Sequence, residues 1–335
     1  MKPGVQIDTI SAGSGQLVGS GDVAMRLMES GFNINALRTN DVLRKDEWKQ
    51  YDQALVEVAT KRLPLVSFLV GQGLTYNISN GLGTTILEWE DVSDMEPANV
   101  SMAGVTRGEQ DTLEYSLKSM PLPIIHKDFT LNIRKLHASR TTGQPLDTAQ
   151  AQVAGRLVAE ATESMVVAGH ATAVGTSVIY GLNTVPNSSA VTMSGTHTWG
   201  VDSTAAEIIA DCLAAIAALE TDHMYGPYAL VVDYVTWNFL QTDYEVTTST
   251  GSTVLDRILR IQGISTVIPS RDCPAATAFM FQLSSDVIQE VIGMQPTTVQ
   301  WETQGGMQVH FKVMSIMIPR VRWTQTLQSG IAVLS

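Results

Sequence analysis

The stretch DTAQAQVAGRLVAEATESMVVAG, Asp147 to Gly169, carries the strongest helical signal in the chain. Asp147 stands at the N-cap, Gln150 three residues later completes a capping box, and Gly169 supplies the stop. Val153, Leu157, Ala161 and Met165 form one i, i+4 row, so the spacing predicts a helix over 147–169 with those four as its core face. At 1.5 Å per residue it would span about 33 Å, long enough to be the backbone of a domain. If the row is buried, Leu157→Ala or Met165→Ala is expected to cost about 2–5 kcal/mol.

On the N-terminal side, HKDFTLNI (126–133) alternates Phe129, Leu131 and Ile133 with Asp128, Thr130 and Asn132, the pattern of a half-buried strand. Before it, TTILEWE (84–90) and DTLEYSLKS (111–119) flank an irregular tip, and Leu113, Tyr115 and Leu117 alternate with Glu114, Ser116 and Lys118. This predicts a long hairpin. Two strands alone are marginal in water, and the nearby sequence offers no partner sheet, which points to a neighbouring subunit as the support. Further upstream, RKDEWKQYDQALVEVATKR (44–62) puts Trp48, Tyr51, Leu55 and Val58 on one helical face, ended by Pro64. Residues 1–40 are rich in Gly, Ser and Asn, with one helical hint at 22–30, and read as an arm laid on something else.

On the C-terminal side, a polar stretch (171–203) gives way to TAAEIIADCLAAIAALE, a helix capped by Thr204 with Glu207. YGPYALVVDYVTWNFL (225–240) follows. Gly226 and Pro227 read as an entry turn, Tyr228, Leu230 and Val232 as one face of a buried strand, and Asp233 as the cap of a helix in which Trp237 and Leu240 pack. A helix at 253–260 and strands at 264–269, 278–283, 287–294 and 297–302 come next. A last strand, MQVHFKVMSIMI (307–318), is expected to stop at Pro319.

The 335 residues carry 21 Lys and Arg against 33 Asp and Glu, a formal charge of −12. A duplex-coating protein needs a basic stripe, and the longest basic run here is the broken LRKDEWK (43–49), which argues against direct nucleic-acid binding. An acidic wall enclosing a nucleic acid is compatible with this charge, since repulsion keeps the two apart. Cys212 and Cys273 are far apart and in no metal-ligand spacing, and no signal-peptide h-region or 18-residue apolar run is seen. A soluble protein of a reducing compartment is expected, with no membrane partner.

Motifs for chemistry are missing. SAGSGQLVGSG (11–21) follows no apolar strand, there is no Gly-Lys pair, and no HExxH, CxxC or GxSxG occurs. His126, His137, His170, His197, His223 and His310 are scattered. Asp233 is better explained as a cap than as a catalytic acid. Lys118, a conceivable cross-linking nucleophile, is better read as a solvated charge. No catalytic residue, metal site or cofactor is expected.

Four blocks in order carry a resemblance: LRKDEWKQYDQALVEVATKRLPLVSFL (43–69), SMPLPIIHKDFTLNIRKL (119–136), LDTAQAQVAGRLVAEATESMVVAG (146–169) followed by YGLNTV (180–185), and YGPYALVVDYVTWNFL (225–240). From about residue 42 to about residue 325 the chain resembles the encapsulin and tailed-phage major capsid superfamily, which shares the Hong Kong 97-type capsid fold. That resemblance implies an α+β chain. Its parts would be an N-terminal arm (1–41), a first helix and link (42–74), an extended β-hairpin loop (75–122) and a peripheral domain (123–199) with a spine helix at 147–169. An axial α/β domain (200–303) and a C-terminal strand returning to the peripheral domain (304–335) would complete it. Trp89, Leu113, Tyr115 and Leu117 would make assembly contacts; Gly226, Pro227, Tyr228 and Trp237 would be axial framework.

The function so implied is a phage major capsid protein. Its hexamers and pentamers would form an icosahedral shell in the host cytoplasm, enclosing DNA without sequence-specific binding, with portal, scaffold and decoration proteins as possible partners. The alternative is an encapsulin, a shell around an enzyme cargo. Typical cargo-loading encapsulins begin near the helix that starts here at Arg44, so the forty preceding residues and the polar insertion at 183–204 favour the capsid. A stand-alone α/β enzyme is a distant third.

Overall fold

The helix expected at 147–169 forms, but a different face of it is buried. In a computed structural model, residues 53, 63–93, 100, 102, 112–142, 148–175, 177–194, 199, 203–244, 251–303, 307–324 and 328–335 are described. The expected arm (1–41), the helix at 44–62 apart from Gln53, the hairpin tip apart from Val100 and Met102, the Asp147 cap and His197 lie outside them.

Helix α1 (Pro64–Gly71) leads into β1 (Thr75–Asn77), then β2 (Ile86–Val92), β3 (Tyr115–Pro121) and β4 (Ile125–Asn132). Next come α2 (Ile133–Thr142) and the long α3 (Ala149–Ala168), followed by β5 (His170–Val174), β6 (Ser177–Ile179) and β7 (Ser189–Val191). The second half runs α4 (Ala205–Thr221), β8 (Tyr228–Val232), α5 (Tyr234–Leu240) and α6 (Val254–Leu259). It ends with β9 (Ile264–Pro269), β10 (Ala278–Gln282), β11 (Ile288–Thr303), β12 (Gln308–Val321) and β13 (Ile331–Leu334). One sheet has the order β1-β11-β12-β4, a second β7-β13-β10-β8-β9, and β2–β3 and β5–β6 are two-stranded. This is a mixed α+β chain, as expected.

The buried face of α3 consists of Ala151, Ala154, Gly155, Val158, Ala159, Thr162, Glu163 and Met165–Val167. Ala154 and Val158 meet Val313 of β12, with Phe129 of β4 alongside. Small side chains let the helix axis sit close to the sheet, where larger ones would hold it off. The expected core row is therefore corrected: Val153 is 48% and Leu157 38% exposed, Ala161 is exposed as well, and of the four only Met165 is buried. The helix's N-cap, Thr148, makes no side-chain cap bond, while Gly169 (φ 68°) does close the helix, as glycine there is suited to do.

Strand β8 separates two cores. Tyr228, Leu230 and Val232 pack with Ile208, Cys212 and Leu219 of α4, whereas Ala229 and Val231 pack with Leu65 and Leu69 of α1 and Val166 of α3. All five residues of the strand are buried, which explains its uninterrupted apolar run. Thr204 with Glu207 and Thr253 with Asp256 both form capping boxes at the helix starts read from sequence.

The C-terminal half departs from expectation in three places. The two strands expected at 287–294 and 297–302 are one long β11, with register shifts between Ile292 and Thr297, where Gly293 and Pro296 interrupt regular pairing. Strand β12 does not stop at Pro319 but continues to Val321. Its pairing with β4 ends at Ser315, so Pro319, opposite Glu290 of β11, lies where one side of β12 has no paired strand among the described residues, and its missing N–H costs no ladder bond there. The last residues do not stay with that sheet: β13 pairs antiparallel with β10 and parallel with β7.

Phe279, fully buried in β10, should when cut to Ala lower stability by about 3–5 kcal/mol. Leu157→Ala should cost under about 1 kcal/mol in the dissociated protomer, because its side chain is partly in water there. Urea denaturation of the two variants, compared with the unsubstituted chain, measures both.

Candidate functional site

Strict two-residue alternation gives the hairpin two unlike faces. Leu87 is paired with Met120, Trp89 with Lys118 and Asp91 with Ser116, while Glu88, Glu90 and Val92 are paired with Ser119, Leu117 and Tyr115. The first face turns toward the chain's own body: Leu87 and Met120 are buried with Val291, Ile316 and Ile318, and Trp89 packs against them. The Arg320 guanidinium lies 5.7 Å from the Trp89 ring centre and 4.6 Å from that of Tyr76. Burial lowers the Arg320 pKa, with Arg322 nearby adding to the effect. Lys118 is not a freely solvated charge. Its Nζ sits 5.1 Å from the Trp323 ring centre, Trp323 meets Tyr180 edge-on at 5.3 Å, and these residues line a cavity of about 210 Å³.

Among the described residues, nothing covers the second face. Tyr115 and Leu117 are each 64% exposed, Val92 and Leu113 are exposed, and Glu88 and Glu90 are exposed beside them. Of the four hairpin residues read from sequence, Leu113, Tyr115 and Leu117 thus face outward, whereas Trp89 serves its own protomer.

A second apolar surface lies along α3. Val153 and Leu157 wall a groove of about 290 Å³ that Phe129 floors, with Lys127 and Gln150 at its rim. Phe129 is held by stacking on Phe311, its cross-strand partner, at 5.0 Å. Arg156, one residue before Leu157, reaches Glu160 at 3.8 Å.

The residues around β8 are framework. Asp233 accepts hydrogen bonds from the N–H groups of Thr236 (3.1 Å) and Val235 (3.2 Å), the geometry of an N-cap. The Gly226–Pro227 peptide is cis, the Tyr228 hydroxyl donates to the Met224 carbonyl, and Trp237 packs at the edge of the α4 core. Sequence reasoning passed over Asp211. It lies buried in α4 and accepts from Trp199 Nε1 at 2.9 Å and from the Ser194 N–H at 3.0 Å, pinning the segment before α4. A lone acid among Ile208, Cys212 and Ala215 was the available signal.

Among the described residues, no three His, Cys, Asp or Glu side chains are grouped to hold a metal ion. Both cysteines are free and buried, and burial pushes each thiol up to about 12, far from a reactive thiolate.

Residues 35–331 match a family model described as a family of unknown function (DUF6260). The chain belongs to that family. A DUF6260 chain can thus be set beside characterised shells. Over 132 residues it is 29% identical to the type 1 encapsulin shell protein EncA of Myxococcus xanthus, covering 38% of this chain and 43% of that one, less than half of EncA's length. The virus-like particle subunit from Pyrococcus furiosus superposes with a TM-score of 0.61 at 18% identity, covering 86% of this chain and 98% of its own. The capsid subunit of Myoviridae phage XM1 gives 0.59 at 14% identity, covering 80% and 91%. The DUF6260 chain therefore has the fold of the encapsulin and tailed-phage capsid superfamily, as the four sequence blocks implied.

Asp233→Ala should lower stability by about 1–2 kcal/mol through loss of the cap, and Asp233→Asn, which keeps an acceptor oxygen, by less than half of that. Thermal or urea unfolding of the pair checks the capping role; equal losses would contradict it.

Proposed function

We propose that this chain is the subunit of a closed icosahedral shell, built from many copies of itself. The observation that carries the proposal is the outward face of the hairpin. Val92, Tyr115 and Leu117 form an apolar strip with nothing over it among the described residues, on an element that has too few strands to stand alone. A chain with a capsid fold meets that need through a symmetric neighbour. The groove of Phe129, Val153 and Leu157 is the complementary surface: it is mainly apolar, and Lys127 at its rim, beside Asp128, can meet Glu88 or Glu90 of the hairpin. In this reading α3 is the spine of a peripheral domain built on 123–199 and the β1-β11-β12-β4 sheet. Residues 200–303 are an axial domain to which β13 also belongs, residues 42–74 link into the loop at 75–122, and residues 1–41 are an arm between subunits.

For the contents, we propose a phage genome: the chain is a tailed-phage major capsid protein working with a portal and, where present, scaffold and decoration proteins. The fold likeness to the XM1 capsid and a net charge of −12, which disfavours adhesion to DNA, support this. The similarity to EncA favours a second reading, an encapsulin around an enzyme cargo.

Electron microscopy of the purified protein should show closed particles or their hexamers and pentamers; a stable monomer at high concentration would sink the shell reading. Nuclease-protected DNA within particles from their natural source supports the capsid, and a co-purifying enzyme supports the encapsulin. Leu117→Asp and Leu157→Asp should each abolish closed particles while circular dichroism stays that of the folded protomer. Normal particles from both variants would remove the hairpin-to-groove contact.

A further inference from the structure

The buried carboxyl groups of Glu163 and Glu290 have no part in the readings above. Glu163, on the inward face of α3, accepts from the N–H of Leu65 at 2.9 Å and from that of Val66 at 3.3 Å. Helix α1 has no side-chain cap of its own at Leu63, so an acid 98 residues away in sequence caps it. Glu290 lies on β11 opposite Thr75 of β1, and its N–H donates to the Leu74 carbonyl at 2.8 Å. Its side chain is 0% exposed, and neither carboxyl oxygen has a hydrogen-bond partner among the described residues. The strap Leu65–Asn77, which runs directly into the hairpin, is thus held at one end by Glu163 and at the other by the strand carrying Glu290.

Among the described residues, no cation answers the pair from inside. Helix α1 brings no titratable side chain. From α3, Glu160 and Arg156 point outward, Glu160 being paired with Arg271 at 3.3 Å. The turn after β9 contributes Arg271, Asp272 and the buried Cys273 thiol. In β1, Tyr76 lies under Arg320 of β12, which shares the opposite face of the sheet with Gln289 and Trp89.

We propose that Glu163 and Glu290 form a proton-operated latch: with Glu290 protonated the strap α1–β1 is closed on α3 and β11, and loss of its proton releases the strap and with it the root of the hairpin. Two negative charges in one dry site cannot be held together without a partner. Burial pushes the Glu163 carboxyl up to about 7 in spite of the two backbone amides, with Asp272 adding to the rise. Burial, with Glu163 as second cause, holds Glu290 well above the usual carboxylate range.

The sign follows from proton binding. Both groups keep protons in the closed state that an open strap would release near the ordinary value of 4.5. Closure therefore weakens as pH rises above the ordinary carboxylate range, through Glu163 up to about 7 and through Glu290 until that group too gives up its proton in the closed state. The Leu65 and Val66 amides offset only part of the cost of burying ionised Glu163, so its ionisation weakens closure and makes the ionisation of Glu290 more costly.

Hydrogen exchange of the full-length protein, followed by mass spectrometry on a peptide covering residues 63–77 and corrected for the intrinsic effect of pH, tests the latch between pH 7.5 and 9.5. One proton released on opening gives a loss of protection of up to about tenfold per pH unit. The unsubstituted chain should show this loss, Glu163→Gln should retain it, and Glu290→Gln should be flat. A core peptide covering 278–283 should not change in any of them. A flat profile in the unsubstituted chain, or an unaltered slope in Glu290→Gln, overturns the proposal. Should Glu290→Gln fail to fold, Glu290→Met, which removes the polar atoms from the dry site, takes its place with the same expectation.

Discussion

The close seat of α3 on the β11–β12–β4 sheet is the constraint from which the rest of the structure follows. Ala151, Ala154, Gly155, Val158 and Ala159 give that helix a low-profile face, and Val313 fills the space beneath it. Close packing forbids both gaps and excess volume, so the bulkier Val153 and Leu157 are turned outward. Further along, the same helix delivers Val166 and Val167 to the core shared with α1 and β8. One packing decision thereby fixes a core, an outward apolar groove and the placement of Glu163.

The hairpin obeys a similar logic at its own scale. Its inner face is anchored by Leu87 and Met120 in the sheet's second core, and Trp89 and Lys118 are held by contacts with Arg320 and Trp323. That anchoring steadies only the base. The outer face keeps Tyr115 and Leu117 in water, with nothing among the described residues to cover them. In the proposed shell, the exposed strip and the groove along α3 are two halves of one thermodynamic need that a second copy of the chain would meet.

Two kinds of buried acid show how polarity is managed inside this fold. Asp211 and Asp233 are surrounded by donors, the indole N–H of Trp199 and backbone amides, so their burial orders the segments they touch. Glu290 has no such company. Buried polar atoms without partners are rare because they lower stability, and their retention beside a second carboxyl makes the strap sensitive to proton activity.

The sequence by itself determined what depends on neighbours three or four residues apart. The Thr204–Glu207 box, the helix beginning at Thr253, the Asp233 cap, the Gly169 stop and the hairpin's alternation were all legible, because each rests on short-range geometry. The four ordered blocks carried the capsid fold. Tertiary structure alone decided which face of α3 and which face of the hairpin look inward, since periodicity marks an apolar row without saying what covers it. It also decided that β12 runs through Pro319, that β13 joins the other sheet, and that Glu163 caps a helix 98 residues away. These depend on pairings between segments far apart in the chain, where the energy lies in contacts that no local window contains.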